Sequence, residues 1–220
     1  MLKILFASSE VQPIIKTGGL ADVSGALPAA LKIMRHDVRI VMPAYGDALQ
    51  TSKRTQPVAQ LQLPGLPGYV NILEKKLSNS SVKVYFVDYG PAFDRKGNPY
   101  VDNEGKPWPD NAERFTLFCR AICELAQNRA GLDWQPDIVH CNDWQTGLVP
   151  ALLQTEITRP ATIFTIHNLA YQGLFPQQTF NILGLPNQLW SPDALEFHHQ
   201  LSFIKGGIVF SDRINTVSPQ

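Results

Sequence analysis

Two apolar runs separated by a glycine pair, all within the first 42 residues, restrict the fold of this chain more than any other feature. Leu2-Lys3-Ile4-Leu5-Phe6-Ala7 is short, apolar and bounded by polar residues, as a buried strand is. Leu20, Val23, Leu27 and Leu31 then recur at three- and four-residue steps, so a helix is expected over 20–34. Pro28 lies inside that pattern and is expected to kink or divide the helix. Asp37-Val38-Arg39-Ile40-Val41-Met42 reads as a second strand, ended by Pro43. Strand, helix and strand in this order make a βαβ unit with a right-handed crossover. The joint between first strand and helix is Lys16-Thr17-Gly18-Gly19-Leu20-Ala21-Asp22-Val23. There the unpaired N–H groups and positive dipole end of a helix can face an anion, and the glycines allow close approach. Lys16 adds a mobile charge, and together these suggest a phosphate. A plain Gly-Gly turn with a solvated Lys16 is the competing reading of this stretch.

The rest of the chain extends the same alternation. Val58 to Val87 reads as a β-rich, partly antiparallel excursion, with runs at 58–63, 69–77 and 82–87 around the Pro64–Gly68 turn. A long loop over 88–110 carries Tyr89, Phe93, Tyr100 and Trp108, which argue for order. Asp110 is an expected N-cap for a helix running to about Ala130 and stopped by Gly131. Strands follow at 136–141, 161–166 and 213–217, with helices at 144–154 and near 199–210. The expected fold is α/β: a doubly wound, mostly parallel, Rossmann-like sheet with helices on both faces. The chain ends at Ser218-Pro219-Gln220, directly after a strand, so one wall of any crevice there is expected to lie elsewhere.

Composition excludes several classes. Equal numbers of basic and acidic residues, 19 each, disfavour a nucleic-acid binder. No apolar stretch of about 18 residues is present and the first apolar run is too short for a signal peptide, so a cytoplasmic protein with no membrane partner is expected. Cys119, Cys123 and Cys141 lack paired spacing and read as reduced, structural thiols. Adjacent pairs such as His140-Cys141 and His198-His199 match no metal-ligand spacing. Gly-x-Ser-x-Gly, a P-loop and a Gly-x-Gly-x-x-Gly after the first strand are absent.

Two further clusters follow strands: His140-Cys141-Asn142-Asp143-Trp144-Gln145-Thr146-Gly147-Leu148, and His167-Asn168-Leu169-Ala170-Tyr171-Gln172-Gly173. In a parallel sheet both converge with the Lys16 loop on one crevice, which is a stronger signal than any one of them. Simpler roles compete for each. Asp143 can cap a helix, His140 can be a hydrogen-bonded core histidine, and Asn168 and Gln172 can satisfy loop backbone.

Lys16-Thr17-Gly18-Gly19-Leu20-Ala21-Asp22, His140-Cys141-Asn142-Asp143-Trp144 and His167-Asn168-Leu169-Ala170-Tyr171-Gln172-Gly173 resemble, in order, three motifs of the bacterial glycogen synthases and plant starch synthases. Phe93-Asp94-Arg95 with Pro99-Tyr100 is similar to the long loop of that family, and Gln145 departs from a frequent histidine. The resemblance implies that residues 1–220 are the N-terminal, acceptor-side half of a GT-B glycosyltransferase. The C-terminal nucleotide-binding half would be absent, since the family is about twice as long, on the scale of two domains. It implies retaining transfer of glucose from ADP-glucose to the nonreducing end of an α-1,4-glucan, without a metal or other cofactor. Lys16, Gly18 and Gly19 would approach the donor diphosphate, with Asp22 beside them. Tyr100, Asn142, Asp143 and Trp144 would line the sugar and acceptor side, and His167, with Asn168 and Gln172, would contact the transferred glucose; Asp143 and His167 are the catalytic candidates. The missing half would dock on the cleft face through exposed apolar surface, leaving this chain inactive alone. A non-catalytic glucan-binding or complementing module, and a UDP-glucose enzyme of the same fold, are the alternatives.

Overall fold

The structure, a computed structural model, describes residues 1–46 and 56–217. The terminal Ser218-Pro219-Gln220 segment lies outside the described residues. In chain order the elements are β1 (Lys3–Ala7), α1 (Gly19–Ile33), β2 (Asp37–Pro43), β3 (Ala59–Leu61), β4 (Val70–Lys76) and β5 (Lys83–Asp88). There follow α2 (Gly90–Phe93), α3 (Asn111–Ala126), β6 (Ile138–Asn142), a 3-10 turn (Trp144–Thr146) leading into α4 (Leu148–Leu153), and β7 (Ala161–Ile166). The last part holds β8 (Leu174–Pro176), α5 (Gln177–Ile182), a second 3-10 turn (Asn187–Leu189), β9 (Glu196–Phe197), β10 (Gln200–Ser202), α6 (Phe203–Phe210) and β11 (Arg213–Thr216).

Among the described residues, eight strands form one sheet in the order β11-β7-β6-β1-β2-β5-β4-β3. From β11 to β5 every pairing is parallel; β4 and β3 add antiparallel strands at one edge, the expected β-rich excursion. The alternation of β1 builds two cores. Ile4 and Phe6 join Val38, Ile40 and Met42 beneath Leu27 and Leu31 of α1. Leu5 and Ala7 face the other way, with Val41, Tyr85, Val139 and Phe164, against Phe115, Phe118 and Ile122 of α3 and Leu148 and Val149 of α4. Helices therefore cover both faces. Cys119, Cys123 and Cys141 are buried free thiols, as their spacing suggested, and burial pushes Cys119 up to about 12.

Several local expectations are corrected. α1 runs unbroken from Gly19 to Ile33 with Pro28 inside it. Its Leu20, Ala21, Ser24 and Gly25 before the proline and the proline itself are buried against the sheet, so tertiary packing outweighs the lost helical hydrogen bond. α3 ends at Ala126, four residues before the expected stop, because Asn128 already turns left-handed at φ 54. Asp110 stands at the N-cap position but makes no capping bond; its carboxylate holds Arg95 at 2.7 Å instead. The helix expected near 199–210 starts only at Phe203, because 199–202 turn back in a hairpin. His198 and His199, at φ 49 and 62, make that turn between β9 and β10. With β8, these strands form a small second sheet that the apolar pattern did not show.

The small sheet and α6 are pinned to the main body at one place. Phe203 N–H donates to the Gly173 carbonyl at 3.0 Å and Ile204 N–H to that of Gln172 at 3.1 Å. At this crossing Gly147 lies so close to α6 that an added Cβ would stand 2.1 Å from the Phe203 carbonyl oxygen. Backbone cannot yield as a side chain can. We therefore expect Gly147→Ala to lose about 3 kcal/mol, read as a lower midpoint in urea unfolding. An unchanged midpoint would mean that α6 is free to shift away.

Candidate active site

From β1 the sheet grows through β2 and β5 on one side, whereas β6, β7 and β11 build outward on the other. The winding direction thus reverses between β1 and β6, and in open α/β sheets the crevice at such a point, beyond the strand carboxyl ends, receives ligands. The loops after β1, β6 and β7 carry the three motifs to this edge.

The loop after β1 turns inward before it reaches Lys16. Glu10, only 3% exposed, folds back under the turn. Its carboxylate accepts hydrogen bonds from the backbone N–H of Thr17, from Gly18 N–H at 3.3 Å, from Thr17 Oγ1 at 2.6 Å and from the Tyr100 hydroxyl at 2.7 Å. The Tyr100 hydroxyl also lies 2.7 Å from Ser9 Oγ. Burial pushes the Tyr100 phenol well above its ordinary range, so it acts as a neutral donor. Part of the anion-binding capacity of the turn is therefore taken by the protein's own carboxylate. The N–H groups of the first α1 turn lie beyond it, and these have no intrahelical partner. Gly18 and Gly19 face open space: a Cβ on either would meet nothing within 4 Å. Lys16 Nζ pairs with both carboxylate oxygens of Asp22, at 2.7 and 2.8 Å, and both side chains are about half exposed.

Across the switch point, Asp143 follows β6 in a conformation of φ 56 and ψ 179, a region that side chains other than glycine rarely occupy. The carboxylate does not cap the turn that follows. Its Oδ1 accepts the His167 N–H at 2.7 Å and the Asn168 N–H at 3.4 Å, tying the loop after β7 to the loop after β6. Burial pushes this carboxyl up to about 6, partly offset by those N–H donors. Asn142 is completely buried, and His167 Nε2 lies 2.9 Å from its Oδ1. His140 is a core histidine, 2.7 Å from Thr165 Oγ1, and burial with the nearby His167 lowers it to about 4.

Trp144 packs edge-on against Phe115 and Phe203 and tilted against Phe175. It is the floor of an open cleft of about 480 Å³, walled by Pro107 and Asn111 on one side and Tyr171, Gln172 and Gly173 on the other. Asn168 spends its Oδ1 on the Ala170 N–H at 2.9 Å, the loop-building role that its type suggested. The structure thus brings Asn142, Asp143 and His167 into direct contact, sets Trp144 and Gln172 together along the cleft, and places Tyr100 under the Lys16 loop. Sequence reading missed Glu10. The available signal was an acid between a strand and a glycine pair, with Ser8 and Ser9 beside it; all three are buried.

Over residues 3–220 the chain matches the family model of the starch synthase catalytic domain. It is 57% identical over 218 residues to glycogen synthase 1 of Methylococcus capsulatus, covering 99% of this chain and 44% of that one. To the glycogen synthase of Thioalkalivibrio sulfidiphilus it is 59% identical over 219 residues, covering 99% and 45%. The chain therefore spans a little under half the length of these relatives. The catalytic domain of starch synthase IV from Arabidopsis thaliana, solved bound to ADP and acarbose, superimposes with a TM-score of 0.82 at 29% identity, over 99% of this chain and 45% of that one. The chain therefore belongs to the starch synthase catalytic domain family of glycosyltransferases, together with the bacterial glycogen synthases.

Proposed function

We propose that residues 1–220 form the acceptor-side Rossmann-like half of a cytoplasmic, retaining glycogen synthase of GT-B arrangement. It would transfer glucose from ADP-glucose to the nonreducing end of an α-1,4-glucan. The observation that carries this reading is the convergence of the three loops on the switch point, with Asp143 bonded to the N–H groups of His167 and Asn168. The Arabidopsis domain, with its ADP and acarbose, supports a nucleotide and an oligosaccharide as the ligand classes.

The residue types suit that chemistry. As ADP departs, negative charge grows on its diphosphate, and the first-turn N–H groups of α1 and Lys16 stabilise it where Gly18 and Gly19 permit close approach. Asp22 holds Lys16 in an exposed pair, and such pairs contribute only about 0–1 kcal/mol, so Lys16 can re-pair with a diphosphate at small cost. A covalent sugar intermediate requires a carboxylate at the anomeric carbon. Asp143 Oδ1 is taken by loop N–H groups, and Asp22 stands beside Lys16 on the diphosphate side of the proposed site and not on its sugar side, so same-face attack, with the leaving phosphate as base, fits better. His167 and Gln172 hold the transferred sugar, Asn168 shapes their loop, and Trp144 and Tyr100 support the acceptor side. The nucleotide-binding half would dock across the same edge, where Leu169 and Tyr171 are 59% and 66% exposed.

Glucose incorporation into glycogen, measured with ADP-glucose and with UDP-glucose on the full-length protein, tests the reading. ADP-glucose should be the better donor. Lys16→Ala should lower kcat/KM for it by about 10- to 100-fold, and His167→Ala should lower kcat by about 100-fold, as expected for lost transition-state contacts. Rates unchanged in both variants would overturn the site.

Asp143 gives a prediction of a different kind. Its carboxyl titrates near 6 when folded, against an ordinary 3.8, so the folded state binds the extra proton between those values. Stability is therefore greatest below the ordinary value and declines as pH rises through about 6. Asp143→Asn should gain about 2–3 kcal/mol at pH 7.5, shrinking towards zero near pH 4, while activity falls by about 100-fold or more. Urea melts at the two pH values decide this; a variant less stable at pH 7.5 would show that the charge is satisfied as it stands.

A further inference from the structure

We propose that Asn142 is a positioning residue that fixes the His167 imidazole as its Nε2–H tautomer, so that Nδ1 is the nitrogen offered to substrate. The inference rests on the reading of His167 as a sugar contact, and it follows from donor and acceptor bookkeeping around one buried amide. Asn142 Nδ2 donates to the Ala7 carbonyl at 3.0 Å and lies 3.3 Å from the His140 carbonyl. Carbonyl oxygens only accept, so the amide cannot be reversed without facing oxygen with oxygen on both sides. Its Oδ1 is therefore the atom 2.9 Å from His167 Nε2. That oxygen only accepts in turn, so Nε2 must carry the hydrogen.

The neighbouring histidine cannot exchange roles with this one. His140 Nε2 is engaged at 2.7 Å by Thr165 Oγ1, and that hydroxyl passes its hydrogen to Asn215 Oδ1 at 2.5 Å. Thr165 must then accept from His140, which is likewise an Nε2–H tautomer. Burial holds His167 below its ordinary range, so the neutral ring is the form present at neutral pH. A neutral ring with hydrogen on Nε2 has its lone pair on Nδ1, which can accept from a sugar hydroxyl and cannot donate to one. Asn142 thereby decides which partner His167 can recognise, although its own side chain is fully buried.

Long-range ¹H–¹⁵N correlation spectra of the ¹⁵N-labelled full-length protein read the tautomer directly, with the His167 signals assigned by their loss in His167→Gln. The expected result is one species with protonated Nε2 and unprotonated Nδ1. A predominant Nδ1–H form, or an even mixture, in the wild-type protein would overturn the proposal, and this reading needs no Asn142 variant to fold. Asn142→Ala should shift the ring towards a mixture and lower kcat by about 10-fold with KM little changed. If Asn142→Ala leaves kcat unchanged while His167→Ala is strongly impaired, the positioning role is wrong and the sugar-contact reading stands. If both variants keep full activity, the sugar-contact reading fails and takes this proposal with it.

Discussion

Two buried carboxylates, one on each side of the switch point, hold the loops of this site by their backbone N–H groups. Glu10 takes the N–H groups of Thr17 and Gly18, and Asp143 takes those of His167 and Asn168. A carboxylate buried without partners is heavily penalised, whereas one bonded to several donors is tolerated and directional. Each acid therefore fixes a loop that carries no regular structure of its own. The shape of the crevice depends on these two anchors more than on the sheet, which only decides where the loops begin.

The anchors differ in what they demand. Glu10 shares its oxygens with Thr17 and Tyr100, so the long loop over 88–110 is drawn onto the Lys16 turn. The same loop is fastened from below by buried Arg114, which donates to the Ala92 and Pro99 carbonyls. Asp143 instead adopts φ 56 and ψ 179, and strain of this kind is of the order of 1–3 kcal/mol. That strain, and the raised carboxyl beside it, persist because Asn142 below and the His167 loop above leave no relaxed alternative. Strain concentrated at one residue of a site is what a structure shaped by function, with stability kept elsewhere, produces.

How much was readable in advance follows the range of the interactions involved. β7 lies at Ala161–Ile166, as its run of apolar and β-branched residues indicated, because such a run is itself a local strand signature. The three motifs were visible too, since each lies at or a short loop beyond the end of a strand. The small sheet was not, because Leu174–Pro176 and Gln200–Ser202 are three residues each and pair across a gap that no local pattern reveals. Glu10 was hidden for a related reason. Its role exists only once residues 17 and 18 have turned back over it and Tyr100 has arrived from 90 positions away. The resemblance placed Asn142 on the sugar side, but its amide bond to the Ala7 carbonyl could not be foreseen, because only the sheet brings β1 and β6 together.

Charge at the Lys16 turn shows why a self-satisfied cradle can still receive an anion. Two of its positive elements are engaged within the protein, but by bonds of very different strength. Glu10 is 3% exposed and its bonds are charge-assisted, and removing it would release the Thr17 and Gly18 N–H groups and leave the Tyr100 hydroxyl with Ser9 Oγ alone. It is part of the framework. Asp22 stands about half in solvent, where its attraction to Lys16 is screened and the competing hydration is strong. In the proposed function, a diphosphate carries more charge than a carboxylate and would also meet the α1 dipole, so it would outcompete Asp22 for Lys16 without disturbing Glu10. The turn is thus shaped by one acid and neutralised by the other, and on the proposed reading only the second would have to let go.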